Sequence, residues 1–259
     1  MKIVVCVKQV PSVSEVKLDP VTNTIIRDGS KSVINPYDCF ALEAAVQIKE
    51  SHGGEAIALS MGIPAVQNLL TDAVSRGADR AVLLSDRAFA GADTLATSYT
   101  LAMGIEKLGG ADLILCGKMA IDGDTAQIGP ELAEWLGIPH LTDVVSFEKI
   151  AGDHLIVKRI VDDGYQILKV CLPAVICVVK DINMPRMPSI AGIRYSLLRD
   201  VTVWNAADLQ ADESRIGMSG SPTQVVRTYT PELAGSTRPI EDSAAEIASS
   251  IAGIIREVI

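Results

Sequence analysis

The sequence has no CxxC pair, no basic stripe and no apolar run near the roughly 18 residues that a membrane span needs. Each absence closes off a class of protein. The five cysteines, Cys6, Cys39, Cys116, Cys171 and Cys177, sit mostly in apolar runs, and their odd number argues against a complete disulfide framework. They read as buried, reduced thiols. A net charge of -9 without clustered Lys and Arg argues against nucleic acid as a partner, because phosphate neutralisation needs such clusters. The start "MKIVVCVKQVP" lacks the pattern of an export signal, so the expected location is cytoplasmic, with no membrane insertion.

Common catalytic fingerprints are missing too. The first strand runs into "KQVP" with no GxGxxG, and there is no GxxxxGK[ST]. Ser60 in "ALSMG" lacks the first glycine of a nucleophile elbow. His52, His140 and His154 are scattered and read as turn or surface residues, so neither an acid–base set nor a metal site is expected.

What is present is a rhythm. "KIVVCVKQV", "EAIALSMG", "RAVLLS" and "DLILCG" are short aliphatic runs separated by helix-length segments, which predicts a mainly parallel sheet in an α/β fold. Asn35 as N-cap and Pro36 in the first turn mark a helix that ends at "HGG". Further helices are expected from about Pro64 to Ser75, from Thr94 to Leu108, and from near Thr125. After Pro139, period-two alternation around "AGD" and "DDG" predicts an antiparallel meander that returns to a buried strand at Ala174 to Val179. The expected division is an α/β domain over 1–192 and an arm over 193–259. The arm ends in an amphipathic helix with Ile247, Ile251, Ile254, Ile255 and Val258 on one face.

The stretch "CGKMAIDGDTAQIGPELAEWLG" reads as strand, Gly/Asp loop and helix, the layout of a phosphate cradle. The N–H groups of Gly123, Asp124, Thr125 and Ala126, the Thr125 hydroxyl and the Gln127 amide could surround a phosphate. Asp122 and Asp124 would then shape the turn rather than face the anion. An Asp-capped helix without ligand accounts for the same spacing, so both readings stay open. A second stretch, "SDRAFAGADTLATS", also follows a strand and opens a helix at Asp93 and Thr94. Two converging helix N-termini suggest a diphosphate.

Four segments together, "VVCVKQVP", "INPYDCFALEAAVQIKE", "CGKMAIDGDTAQIGP" and "VKRIVDDGYQILKVCLPAVICV", resemble the beta subunit of electron transfer flavoproteins over nearly the whole chain. The resemblance implies a Rossmann-like fold without the glycine fingerprint and an alpha subunit partner that carries FAD. It places nucleotide contacts on Cys6, on Asn35, Pro36, Tyr37 and Asp38, on Met61, and on the loop Gly117, Lys118, Met119, Ala120, Ile121, Asp122, Gly123, Asp124, Thr125, Ala126, Gln127 and Ile128. "SDRAFAGADTLATSYTL" and "IDGDTAQIGP" look like the electron-bifurcating subgroup, in which the beta subunit binds FAD rather than AMP. In that case Phe89, Ala90, Gly91, Asp93, Thr94 and Thr97 join the site, the small residues leaving room for the second phosphate and ribityl chain.

The implied activity, in complex with the alpha subunit, is oxidation of NADH with one electron passing to ferredoxin or flavodoxin. The other passes through the alpha FAD to an acyl-CoA or 2-hydroxy acid dehydrogenase. "PRMPSIAGI" is similar to the loop by which the family grips its dehydrogenase, with Ile190 in the place of an anchoring Leu; an ordered turn is the plainer reading of the same residues. "IRYSLLRD" then departs from the Lys-rich "MKAKKK" of many members. The alternative subtype is an ordinary beta subunit with structural AMP. A stand-alone nucleotide-sensing or hydrolysing protein is a third reading, which leaves the meander and arm unexplained.

Overall fold

A computed structural model describes residues 1–12, 32–226 and 242–258, in two units, Met1–Val226 and Arg227–Ile259. The first unit is built on a nine-stranded sheet. Its strands are β1 (Lys2–Cys6), β4 (Glu55–Met61), β5 (Arg80–Leu84), β6 (Leu113–Gly117), β7 (His140–Ile150), β8 (His154–Val161), β9 (Gly164–Cys171), β10 (Ala174–Val178) and β11 (Thr202–Trp204), in the order β11-β5-β4-β1-β6-β10-β7-β8-β9. The seven strands from β11 to β7 are parallel; β8 and β9 complete the antiparallel meander. A separate short hairpin pairs β2 (Gln9–Pro11) with β3 (Ser32–Ile34).

Period-two side-chain alternation explains the layers. Ile3, Val5, Ala56, Ala58, Leu113 and Leu115 point to one face, where α1 (Pro36–His52) and α2 (Val66–Ser75) cover them. Val4, Cys6, Ile57, Leu59, Ile114 and Cys116 point to the other, beneath α3 (Thr94–Lys107) and α4 (Ile128–Leu136). The chain moves outward from β1 through β4 and β5, then returns to β6 on the other side of β1. Ligands of open parallel sheets gather at such a reversal, beyond the carboxyl ends of the strands.

Several elements differ from the sequence reading. The fourth helix starts at Ile128, not near Thr125, because Asp124 and Ala126 adopt φ of 48° and 55°, outside helical backbone. The second helix starts at Val66, two residues after Pro64. Segment 193–226, read as the start of an arm, lies in the first unit: α5 (Ile190–Ser196) packs on α2, and β11 joins the sheet edge beside β5, followed by α6 (Ala206–Leu209). Cys6, Cys116 and Cys177 are buried as expected, whereas Cys39 is half-buried and Cys171 is exposed on the meander. All five are free thiols. In the second unit, α7 (Ala244–Val258) forms where the apolar stripe placed a helix.

Candidate functional site

The loop 117–127 leaves the carboxyl end of β6 and meets the chain just beyond β1 at Lys8. Its start is fixed from α1. Asn35 occupies the N-cap position, but its side chain does not cap the helix. Its amide instead donates to Asp38 Oδ1 at 2.9 Å and to the Met119 carbonyl at 2.9 Å, and its oxygen accepts the Ile121 N–H at 3.2 Å. Asp38 Oδ2 accepts the Lys8 N–H at the end of β1 at 2.8 Å. Asn35 and Asp38 are 1% and 6% exposed, so this pair joins three segments from inside the protein. Burial pushes the Asp38 carboxyl up to about 7 against the hydrogen bonds from Asn35 and Lys8.

Gly117 is required by the same packing. A Cβ there would collide with Asp38 Oδ1 and lie 2.6 Å from Tyr37 Cβ. Lys118 turns away to Asp143 on the meander, 2.7 Å distant, and this hydrogen bond raises its pKa. Asp122 pairs with the Lys8 ammonium at 2.7 Å, so its carboxylate is committed to the end of β1.

Beyond Gly123 the loop is exposed and its backbone is unusual. Ala126 is left-handed and Gln127 right-handed (φ -96°, ψ -29°), an alternation that turns successive N–H groups toward one concavity. The Gly123 and Asp124 N–H groups, expected to face a phosphate, instead both donate to the Ala120 carbonyl, at 3.2 and 2.8 Å. Those of Thr125, Ala126, Gln127 and Ile128 have no acceptor among the described residues, and no side chain caps α4. The Asp-capped alternative therefore does not describe this helix. An uncapped, solvent-facing N-terminus preceded by such a turn fits a phosphate.

The second helix N-terminus is close by. The Thr94 hydroxyl lies 3.0 Å from Glu131 Oε1 and 3.3 Å from Gln127 Oε1, joining the first turns of α3 and α4. Trp135 Nε1 donates to Ser98 Oγ at 3.1 Å, and the Tyr99 and Trp135 rings pack edge to face at 5.2 Å. Unlike α4, α3 is capped. Asp93 Oδ1 accepts the Ala96 N–H, Oδ2 accepts the Thr223 N–H and hydroxyl, and the Asp93 N–H donates to Ser221 Oγ. Desolvation opposes the Asp93 charge, but these donors outweigh it and hold the carboxyl below its usual range. Met218 packs against Gly91, where a Cβ would lie 2.5 Å from Met218 Cγ.

The other expected residues separate by depth. Cys6 aligns in register with Cys116, and Cys116 with Cys177, in a row of buried thiols. The Cys177 thiol is pushed well up by its hydrogen bond to Cys116 and by burial, which keeps it protonated and unreactive. Met61 ends β4 half-buried beside this row. Phe89 is 4% exposed and belongs to the core beneath α3. Pro36, Ala90 and Gly91 are exposed; Tyr37 and Thr97 are half-buried. Ile190 opens α5 on another part of the surface, 81% exposed. Lys8, Glu131, Ser221 and Thr223 were not among the sequence candidates. Lys8 adjoins the "VCVK" strand end, but nothing local marks the other three.

A family model, electron transfer flavoprotein domain, matches residues 22–209. The chain is 45% identical over 255 residues to the electron transfer flavoprotein subunit beta of Clostridium acetobutylicum, covering 97% of this chain and 98% of that one. The chain belongs to the electron transfer flavoprotein beta subunit family. It is also 45% identical to the caffeyl-CoA reductase-Etf complex subunit CarD of Acetobacterium woodii, over 99% of this chain and 98% of CarD. Protein FixA of Azorhizobium caulinodans matches at 45% over 89% of this chain and 85% of FixA.

Backbone donors and small residues suit binding a nucleotide, and the redox chemistry of a flavoprotein resides in its cofactor.

Proposed function

We propose that this beta subunit binds FAD across the first turns of α3 and α4. We further propose that, with its alpha subunit, it oxidises NADH and divides the electrons between ferredoxin or flavodoxin and, through the alpha subunit's FAD, an acyl-CoA or 2-hydroxy acid dehydrogenase. The observation that carries this reading is the junction of the two helix N-termini through Thr94, Gln127 and Glu131, with the start of α4 left open. A bound flavin would supply hydride acceptance and one-electron transfer. The chain's part is to bind and orient: the N–H groups of Thr125 to Ile128 face one phosphate, while Met218 fills the space beside Gly91. Asn35 and Asp38, being buried, act by holding the loop rather than by touching the ligand. High identity to CarD, whose name places it in an Etf complex with a caffeyl-CoA reductase, favours the subtype.

One observation favours the second reading, an ordinary subunit with AMP. Ser221 and Thr223 already occupy the Asp93 N–H and carboxylate at the start of α3, so a second phosphate gains little from that terminus. Acid extraction of the heterodimer decides. Two FAD and no AMP per heterodimer supports the first reading; one FAD and one AMP replaces it with the second.

We also read Ile190 as the anchor that docks the dehydrogenase, since an exposed aliphatic side chain at a helix start suits a hydrophobic pocket. Ile190→Ala should weaken dehydrogenase reduction while NADH oxidation by a dye persists; equal losses in both assays would count against it.

A further inference from the structure

Segment 179–189, between β10 and α5, forms neither helix nor strand, yet it is held tightly at one residue. Arg186 lies between two carboxylates of α1. Its Nε donates to Glu43 Oε2 at 2.8 Å and its Nη2 to Glu43 Oε1 at 3.0 Å, while Nη1 and Nη2 reach Glu50 Oε1 and Oε2 at 2.6 and 2.9 Å. The Arg186 N–H adds a bond to Glu43 Oε2 at 3.1 Å. Two forked pairs on one guanidinium fix its plane as well as its position, which a single ammonium contact would not. Glu43 is only 5% exposed, so its charge needs this partner.

The neighbouring contacts point the same way. Asn183 Nδ2 donates to the Phe40 carbonyl at 2.9 Å, and Arg76 Nη1 to the Arg186 carbonyl at 3.3 Å. Farther on, Gly192 lies so close to α2 that a Cβ would collide with the Ser75 carbonyl oxygen. Each of these anchors ties the segment to α1 or α2. Met184, Met187 and Ile190, at a spacing of three, remain 87%, 79% and 81% exposed.

Three large apolar side chains held outward, two on irregular backbone and one at the start of α5, would, if the segment were loose, collapse onto the body or lose ordering entropy on docking. The ion pairs remove that freedom beforehand.

We propose that Arg186 is a positioning residue for partner docking: clamped between Glu43 and Glu50, it fixes the segment that presents Ile190 to the acceptor dehydrogenase. The proposal rests on the docking reading of Ile190. It also gives α1 two duties, because Asn35 and Asp38 at its start hold the nucleotide loop while Glu43 and Glu50 hold the docking segment.

The test uses the heterodimer with its alpha subunit and, as acceptor, an acyl-CoA dehydrogenase that the unaltered heterodimer reduces. Arg186→Gln is expected to raise the KM for that acceptor about tenfold, equivalent to roughly 1.4 kcal/mol, with kcat and dye reduction within about twofold. Hydrogen exchange should quicken over 183–192 and not over 36–52. Arg186→Lys should recover part of the loss, and adding Arg186→Gln to Ile190→Ala should cost little beyond Ile190→Ala alone. An unchanged KM in Arg186→Gln, with a raised KM in Ile190→Ala, overturns the positioning role and leaves docking intact. Unchanged KM in both overturns the docking reading and this proposal with it. If Arg186→Gln does not assemble, Glu50→Gln loosens the exposed half of the clamp. It is then expected to raise KM about threefold, and an unchanged value overturns the proposal.

Discussion

The side-chain amide of Asn35 spans the gap between α1 and the loop after β6, donating to the Met119 carbonyl at 2.9 Å while it also donates to Asp38. A residue whose type and position mark a helix cap thus serves the loop after β6 instead. Asn35→Ala leaves the Ile121 N–H and the Met119 carbonyl without this buried partner, at a cost of about 1–3 kcal/mol. The expected outcome is a lower unfolding midpoint together with loss of copurified nucleotide. Full nucleotide retention would show that the loop holds its shape without Asn35.

Asp38 makes stability depend on pH. Its carboxyl is raised to about 7 by burial, from 3.8 in the unfolded chain. A raised acid binds its proton more tightly when folded, so its contribution is fully present below about 4, declines as pH rises, and is gone above about 7. Urea unfolding of wild type and Asp38→Asn across pH 4 to 8 should show the wild type losing stability relative to the variant over that window. Parallel curves would mean that Asp38 titrates near its ordinary value.

Two glycines of the loop separate ligand approach from packing. Gly123 has nothing within 4 Å of a built Cβ, so Gly123→Val should fold normally and lose nucleotide by obstructing approach to the backbone. Gly117→Ala forces a methyl against Asp38 and Tyr37 and should cost about 1–3 kcal/mol through overpacking. Melting curves and nucleotide content measured on both variants check this contrast. Stoichiometric nucleotide in Gly123→Val would remove the phosphate from this loop.

Thr223→Val tests the contacts over α3. It removes the hydroxyl that donates to Asp93 at 2.8 Å but leaves the Asp93–Ala96 cap, so the expected loss is about 1 kcal/mol. Hydrogen exchange should quicken over 217–223 and stay unchanged through α3. Equal acceleration of both would mean that Thr223, not Asp93, sustains the helix start.

Sequence alone determined the alternation of strands and helices, the two-faced core, the meander and the chemical character of the loop. All of these are set by side-chain periodicity, turn residues and backbone preference within a few positions. Tertiary structure decided what each loop residue does. Asn35 meets Met119 and Ile121 across 84 and 86 residues, Arg186 meets Glu43 across 143, and Thr223 meets Asp93 across 130. Such pairs depend on which strand lies beside which. The left-handed turns at Asp124 and Ala126, which moved the start of α4 to Ile128, likewise occur in residues whose local preference does not demand them. Periodicity places a residue on a face, but only the assembled sheet sets the partner that its polar atoms reach.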